Sequence, residues 1–297
     1  MSRGLTATLA LSWRAFFVLT LAGSGLTAAA APAGRTVRPS PTYVQIGKPD
    51  QAEGARILRS FRGMGVAGDF YLDFKLQVRP RRGAEREIPG RLWGGRNELG
   101  AVSRISLTDE TGAERRLLLQ NGAAPAAWRW TAGQAEAATI ALGDLFAPLV
   151  PETQISIFDL QMPYLYWEEF VFEGVSKIRG RPAHTFLLYP PADFLAAYPG
   201  LSGVRVHLDT QFGALVQSEL LDERGRVFRS LAVLDLKKVG EQWMVKSIDL
   251  RDERSRDKTR FLVTAAALNL DLAGTVFTAA GLPETIARPA MVTLLGP

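Results

Sequence analysis

The run Asp69-Phe-Tyr-Leu-Asp-Phe-Lys-Leu-Gln-Val-Arg79 decides the fold class. Phe70, Leu72, Phe74, Leu76 and Val78 alternate without a break with Tyr71, Asp73, Lys75, Gln77 and Arg79, and a period of two sends the two sets to opposite faces of a strand. This is a half-buried antiparallel strand. Downstream, shorter runs follow at hairpin spacing: Ile88–Trp93, Val102–Thr108, Arg115–Gln120 and Trp128–Thr131. They are separated by Gly94-Gly95, Asp109–Gly112 and Asn121-Gly122, the last a type I′ turn signal. A helical patch is expected from Ala137 to about Leu149. Strands resume at Phe170–Val175 and His184–Leu188, and after a short helix or loop near Phe194–Tyr198 a meander runs to Ala267. Its turns fall at Asp209–Gly213, Asp222–Gly225, Val239–Glu241 and Arg251–Lys258. Eleven or twelve strands with few helices give an α+β chain built on one large antiparallel sheet.

Upstream of the first strand, Asp50 and Glu53 form a capping-box-like start, and Ala55, Leu58 and Phe61 share one face before Gly63 and Gly65. A helix over 50–62 therefore opens the folded region. Residues 31–47, rich in Pro and small side chains, read as a flexible leader. Residues 1–30 read as a signal peptide: Arg3 and Arg14 accompany the apolar run 15–22, and Ala28-Ala29-Ala30 supplies a cleavage site near Ala30. The run falls short of the roughly 20 apolar residues of a spanning helix. Export to a periplasm is the expectation, with a single domain over 48–297.

Composition narrows the function classes. The chain of 297 residues is 47% hydrophobic and has no cysteine, so disulfides, thiolate ligands and lipidation at cysteine are excluded. Without Arg3 and Arg14 the 35 basic side chains become 33, against 30 acidic, a net of +3. That near balance, with basic runs confined to turns such as Arg79–Arg82 and Arg224–Arg226, gives no nucleic-acid footprint. The two histidines, His184 and His207, sit inside strands, and no Gly-x-Ser-x-Gly elbow accompanies them. His-Glu-x-x-His is absent, so neither a metal nor another cofactor is expected. Glu168 and Glu169 are neighbours, and in a strand neighbours cannot converge on one bond. With no catalytic residues to name, a non-enzymatic binding role is the expectation.

The block Asp159–Pro191, then Val204–Leu215, Asp222–Leu236 and Gln242–Glu253, resembles the LolA-like outer-membrane lipoprotein-sorting proteins. Within it, Leu165-Tyr166-Trp167 precedes a strand, Arg179-Gly-Arg-Pro182 and a second strand. The resemblance spans about residues 48–268. It implies a half-open, curved antiparallel barrel, lidded by helix 50–62 and by the segment Leu142–Tyr166, whose apolar concave face holds acyl chains. Each methylene withdrawn from water is worth about 0.8 kcal/mol, so a carrier crossing an aqueous compartment needs such a face. The lining expected is Phe70, Leu72, Phe74, Leu76, Trp93, Trp128, Trp130, Tyr164, Tyr166 and Trp167, with Tyr164 to Trp167 at the mouth. Spacing alone is equally compatible with these aromatics being plain core. The resemblance also implies a barrel arginine that holds the lid; Arg91, Arg104 and Arg181 are the candidates. Its partners would be lipid or lipoprotein acyl chains, an inner-membrane donor and an outer-membrane acceptor, for transport toward the outer membrane. The alternative is an envelope structural or regulatory domain of the same fold without lipid cargo. An empty apolar groove would mark the first, a filled interior the second. Residues 270–297 carry no readable motif.

Overall fold

The computed structural model describes residues 38–43, 48–108, 112–122 and 124–296, so the expected signal peptide lies outside the described residues. Strand β1 (Asp69–Arg79) forms as its alternation dictates and sits mid-sheet. It is followed by β2 (Arg86–Asn97), β3 (Gly100–Thr108), β4 (Glu114–Gln120), β5 (Ala126–Thr131) and the two-residue β6 (Ala138–Thr139). A second meander comprises β7 (Phe170–Ile178), β8 (Arg181–Leu188), β9 (Gly203–Asp209), β10 (Leu215–Leu221), β11 (Val227–Val239), β12 (Gln242–Asp252) and β13 (Lys258–Leu270). Pairing of β1 with β13 joins the two into one antiparallel sheet, ordered β6-β5-β4-β3-β2-β1-β13-β12-β11-β10-β9-β8-β7. A further two-residue strand, β14 (Thr293–Leu294), pairs with β13 where β12 has separated from it.

This sheet cannot be flat. Seven strand spacings separate β4 from β10, about 34 Å if laid out at about 4.8 Å each. Yet Gln161 donates to the Gln120 carbonyl on β4 (2.8 Å), while Tyr164, three residues on, donates to Ser218 Oγ on β10 (3.1 Å). The two halves therefore face each other across the connection between β6 and β7. Helix α1 (Gln51–Gly63), capped by Asp50 as the sequence predicts, closes one side. Its Gln51 amide donates to the Phe172 carbonyl (2.9 Å) and accepts from the Phe172 N–H (2.8 Å), occupying part of the free edge of β7. Such cover keeps an edge strand from pairing with another chain.

Several local expectations are corrected. Gly94-Gly95 is not a turn but the interior of β2; a Cβ at Gly94 would lie 2.1 Å from the Phe70 ring, and one at Gly90 would lie 2.3 Å from that of Phe74. The β2 glycines give those two rings room to lie across the strand. Asn121-Gly122 makes no two-residue hairpin, since β4 and β5 are joined through residues 121–125. Gly122 is required instead because a Cβ there would come within 1.9 Å of the Leu99 carbonyl oxygen. The helix expected over Ala137–Leu149 reduces to β6 and one 3-10 turn, Leu142–Asp144, in a segment broken by Gly143 and Pro148. Of the expected leader, residues 38–43 lie along the sheet: Tyr189 donates to the Pro39 carbonyl (3.0 Å), and Glu173 accepts from the Thr42 N–H (2.6 Å).

The C-terminal segment forms a strap over the outer face of β1–β5. Val276, Phe277, Leu282, Ile286 and Val292 pack on Tyr71, Trp93, Val102, Leu118 and Trp130. Beneath it Arg104, 1% exposed, donates to the Gly281 and Leu282 carbonyls (2.9 and 3.0 Å), and Arg116 stacks on Trp130, 4.5 Å from the ring centre. Leu282 is fully buried, so Leu282→Ala should lower unfolding free energy by about 2–5 kcal/mol in a urea titration. A change below about 0.5 kcal/mol would show that the strap contributes little to the fold.

Candidate functional site

The inner face is continuous and apolar. Leu72, Phe74, Leu76 and Val78 of β1 run beside Ile88, Ile105, Leu107, Leu117 and Leu119 on one flank. Phe261, Val263, Leu250, Leu231, Leu220, Val206 and Phe186 line the other. Phe74 and Phe261 stack across the β1–β13 junction at 4.4 Å.

Against this face lies the connection Ile140–Trp167, which acts as a plug. Ser156 caps α2 (Ile157–Gln161) in a reciprocal capping box with Asp159, the local signal that starts a helix here. Phe158 lies at the centre, with Phe146 stacked on it at 4.3 Å and Tyr164, Trp167 and Phe194 within 5.5–6.5 Å. Phe194 belongs to α3 (Ala192–Ala197), which with Tyr198, stacked on Phe146 at 3.9 Å, backs the cluster. Leu145, Leu149, Val150, Ile155, Ile157 and Leu165 complete the buried set. The helix ends at Met162 in the left-handed region (φ 48°), and Pro163 starts the next turn. A non-glycine residue held there stores about 1–2 kcal/mol.

A few polar ties fix the plug to the walls. Arg229 of β11 reaches Asp159 at 3.0 Å and also donates to the Gln154 carbonyl; Arg229 is 12% and Asp159 3% exposed. Asp159 further accepts from the Ser156 N–H (2.8 Å) and hydroxyl (2.5 Å). Burial raises the Asp159 carboxyl above the ordinary range, and Arg229 and Ser156 oppose that shift. From α1, Arg62 donates to the Leu165 and Trp167 carbonyls (2.5 and 3.0 Å). From β10, Ser218 accepts from Tyr164, whose burial pushes its hydroxyl upward.

The expected lining residues thus divide. Leu72, Phe74 and Leu76 lie on the inner face, with Phe70 packed beside them. Tyr164 and Trp167 are deep in the plug rather than at a mouth, and half-buried Tyr166 lies under the Arg62 guanidinium at 5.8 Å. Trp93, Trp128 and Trp130 are corrected to the outer face, because each is out of phase with the inner residues of its strand and lies among the groups under the C-terminal strap. None of the three candidate arginines holds the plug: Arg104 serves the strap, Arg181 lies 4.0 Å from Asp209, and Arg91 is exposed. Arg229 and Arg62 are the residues that spacing reasoning missed. Arg229 had a signal, since it is in phase with inward-facing Leu231 on the same strand.

The two histidines are embedded in strands. His207 is buried on the outer face with Thr185 at 3.1 Å, and burial lowers the pKa of half-buried His184 beside Phe172. Glu169 pairs with Arg38.

The inner-face and plug side chains are buried against one another. Two depressions among the described residues lie elsewhere, between Arg38, Tyr189 and Leu195, and along Val175, Lys177 and Pro182 on the β7–β8 hairpin. Neither is lined by a residue of the enclosed core.

Known structures share this architecture. A protein domain assigned to outer membrane lipoprotein sorting in Vibrio parahaemolyticus aligns with a TM-score of 0.67 at 14% identity, covering 77% of this chain and 97% of that one. A DUF1329 family protein from Desulfovibrio piger gives 0.67 at 13% identity, covering 80% and 100%. A LolA superfamily protein from Nitrosomonas europaea gives 0.58 at 13%, covering 75% and 96%. The chain has the LolA-like fold: among the described residues, one large antiparallel sheet that does not close, with three α-helices. A family model described as an uncharacterized protein matches residues 154–284, from the plug to the strap. No curated protein matches the sequence.

Proposed function

We propose that the chain is an envelope carrier that binds the acyl chains of a lipid or lipoprotein inside its curved sheet, where they replace the plug, and passes them toward the outer membrane. The observation behind this reading is the plug itself. A continuous apolar wall is occupied by side chains from a connection, not by opposing strands, and that connection is tied down at polar points on α1, β2, β4, β5, β10, β11 and β13. Displacing Phe158, Leu165 and their neighbours by acyl methylenes exchanges one apolar filling for another, so the cost of opening is chiefly that of the polar ties. No bond chemistry is required.

A second reading, a structural or regulatory binding domain with no lipid cargo, is favoured by the burial of the inner face against the plug. Native mass spectrometry and lipid extraction of the protein purified from its host separate the two. The carrier reading expects bound acyl species, uptake of a fluorescent fatty acid, and faster amide exchange in residues 140–167 when acyl chains are bound. A protein that is free of lipid and takes up none overturns it in favour of the second.

A further inference from the structure

One end of the sheet carries a surface that the interior site does not use. Beyond the Gln217–Ala232 pair β11 has no partner on β10, and β12 joins β13 only from Ser247 onward, so the β11–β12 hairpin projects as a two-stranded ribbon. At its tip Val239 and Met244 turn into the core, while Trp243, opposite Lys238, stands 62% exposed. The β9–β10 turn presents Phe212, 55% exposed. Loop 64–68, between α1 and β1, links the two tips: the Met64 side chain lies against Gly213, and Gln242 Oε1 accepts from the Ala67 N–H (2.7 Å). Arg96, at the end of β2, donates to the Met64 carbonyl (3.3 Å), which draws in the adjoining turn with Leu99 at its tip.

Met64, Leu99, Phe212 and Trp243 are therefore exposed along one connected rim, whereas the described turns of the opposite rim expose no large hydrophobic residue. Tyr43, Val175, Met291 and Leu294 are exposed outside these four tips; scattered apolar side chains of that kind are ordinary on a protein surface, whereas four on linked turns form a set. Around it Arg96, Lys177, Arg179, Arg181, Lys237 and Lys238 are exposed, against the exposed carboxylates Glu98, Asp235, Glu241 and Asp271. Apolar tips set among cations match a bilayer with anionic headgroups, with rings in the acyl boundary and the charged ends among the phosphates. A second copy of this chain would bring the same six cations face to face.

We infer that this rim docks the protein on an anionic membrane surface through Trp243, Phe212, Met64 and Leu99. Docking is independent of what the interior holds, so it goes beyond the proposed carrier role. Because the chain has no cysteine, Phe212→Cys can carry an environment-sensitive fluorophore at one rim and Arg224→Cys the same label at the other. With vesicles of phosphatidylcholine and phosphatidylglycerol, the exported protein labelled at Phe212→Cys should show a several-fold rise in emission, and that labelled at Arg224→Cys none. Pure phosphatidylcholine should give little response. Trp243→Ser should lower vesicle partitioning roughly tenfold or more. Lys237→Gln with Lys238→Gln should do the same, and added salt should weaken what remains. Unchanged emission at Phe212→Cys, equal emission at both rims, or capture by a protein alone overturns the proposal. These positions are exposed, so thermal melts should be unchanged and loss of folding is checked directly. Fatty-acid uptake by the unsubstituted protein in vesicle-free solution separates the two ideas: vesicle binding without uptake leaves docking standing and removes the carrier, and uptake without vesicle binding removes docking.

Discussion

Arg229→Ala should lower the unfolding free energy by about 3–5 kcal/mol, the cost of removing one partner of a buried ion pair. The loss arises at Asp159, left between the plug and the wall with only the Ser156 hydroxyl and neighbouring backbone N–H groups to donate to it. It should also depend on pH, with a sign that can be worked out. Burial already raises the Asp159 pKa in the folded state, and Arg229 is the charge that opposes this rise. Without it the folded pKa moves further above the unfolded value. A carboxyl of that kind contributes stability below its unfolded pKa and loses it as pH rises through the folded pKa. The variant should therefore lie closest to the parent in acid and fall further behind toward neutral pH. Asp159→Asn added to Arg229→Ala should recover part of the loss at neutral pH, because a neutral amide replaces the stranded carboxylate. Urea titrations of parent, single and double variants at acid and neutral pH measure all of this. A double variant no more stable than the single at neutral pH would show that the Asp159 charge is not the source. Hydrogen exchange should place the opening in residues 140–167, with the strands protected.

Much of the sheet is legible in the residues, and the reasons are local. In β1 the alternation from Phe70 to Val78 is unbroken because only one of its faces meets the apolar interior. The turns at Asp209, Asp222 and Arg251 can be read because Asp209, Asp222 and Asp252 side chains accept backbone N–H groups there. The site is less legible because it depends on which face each aromatic takes across long sequence separations. Trp93 and Leu92 are neighbours, and nothing in the alternation of β2 tells which side will be covered by the strap formed some 180 residues later. The strap itself, from Leu272 to Val292, has no period because it pairs with almost nothing. It is fixed by Arg104 and Arg116 donating to its carbonyls. The plug misleads for a related reason: Ala137 to Leu149 looks helical by composition, but the interior it fills selects for shape, and Gly143 and Pro148 let the chain follow that shape.

Phe158→Ala should cost about 3–5 kcal/mol and leave an apolar hole at the centre of the plug. Phe158 is fully buried and meets the rings of Phe146, Tyr164, Trp167 and Phe194, so little can collapse into the space without disturbing four other rings. A hole lined in this way stays dry and accepts an apolar guest. What the guest can be distinguishes the two functional readings. If the plug is a fixed part of the core, the hole takes something the size of the missing ring, and benzene should raise the melting temperature of the variant while long fatty acids do nothing. If the plug gives way to acyl chains, removing its central ring lowers the cost of opening, and affinity should climb with chain length. Each added methylene that reaches the inner face is worth about 0.8 kcal/mol, close to fourfold in affinity. Titrating the variant and the parent with a homologous series of fatty acids and following melting temperature gives this slope. A steep dependence in the variant, with a weaker copy in the parent, supports exchange of the plug for acyl chains. A response to benzene alone assigns Phe158 to a permanent core and removes the inner face as a lipid site.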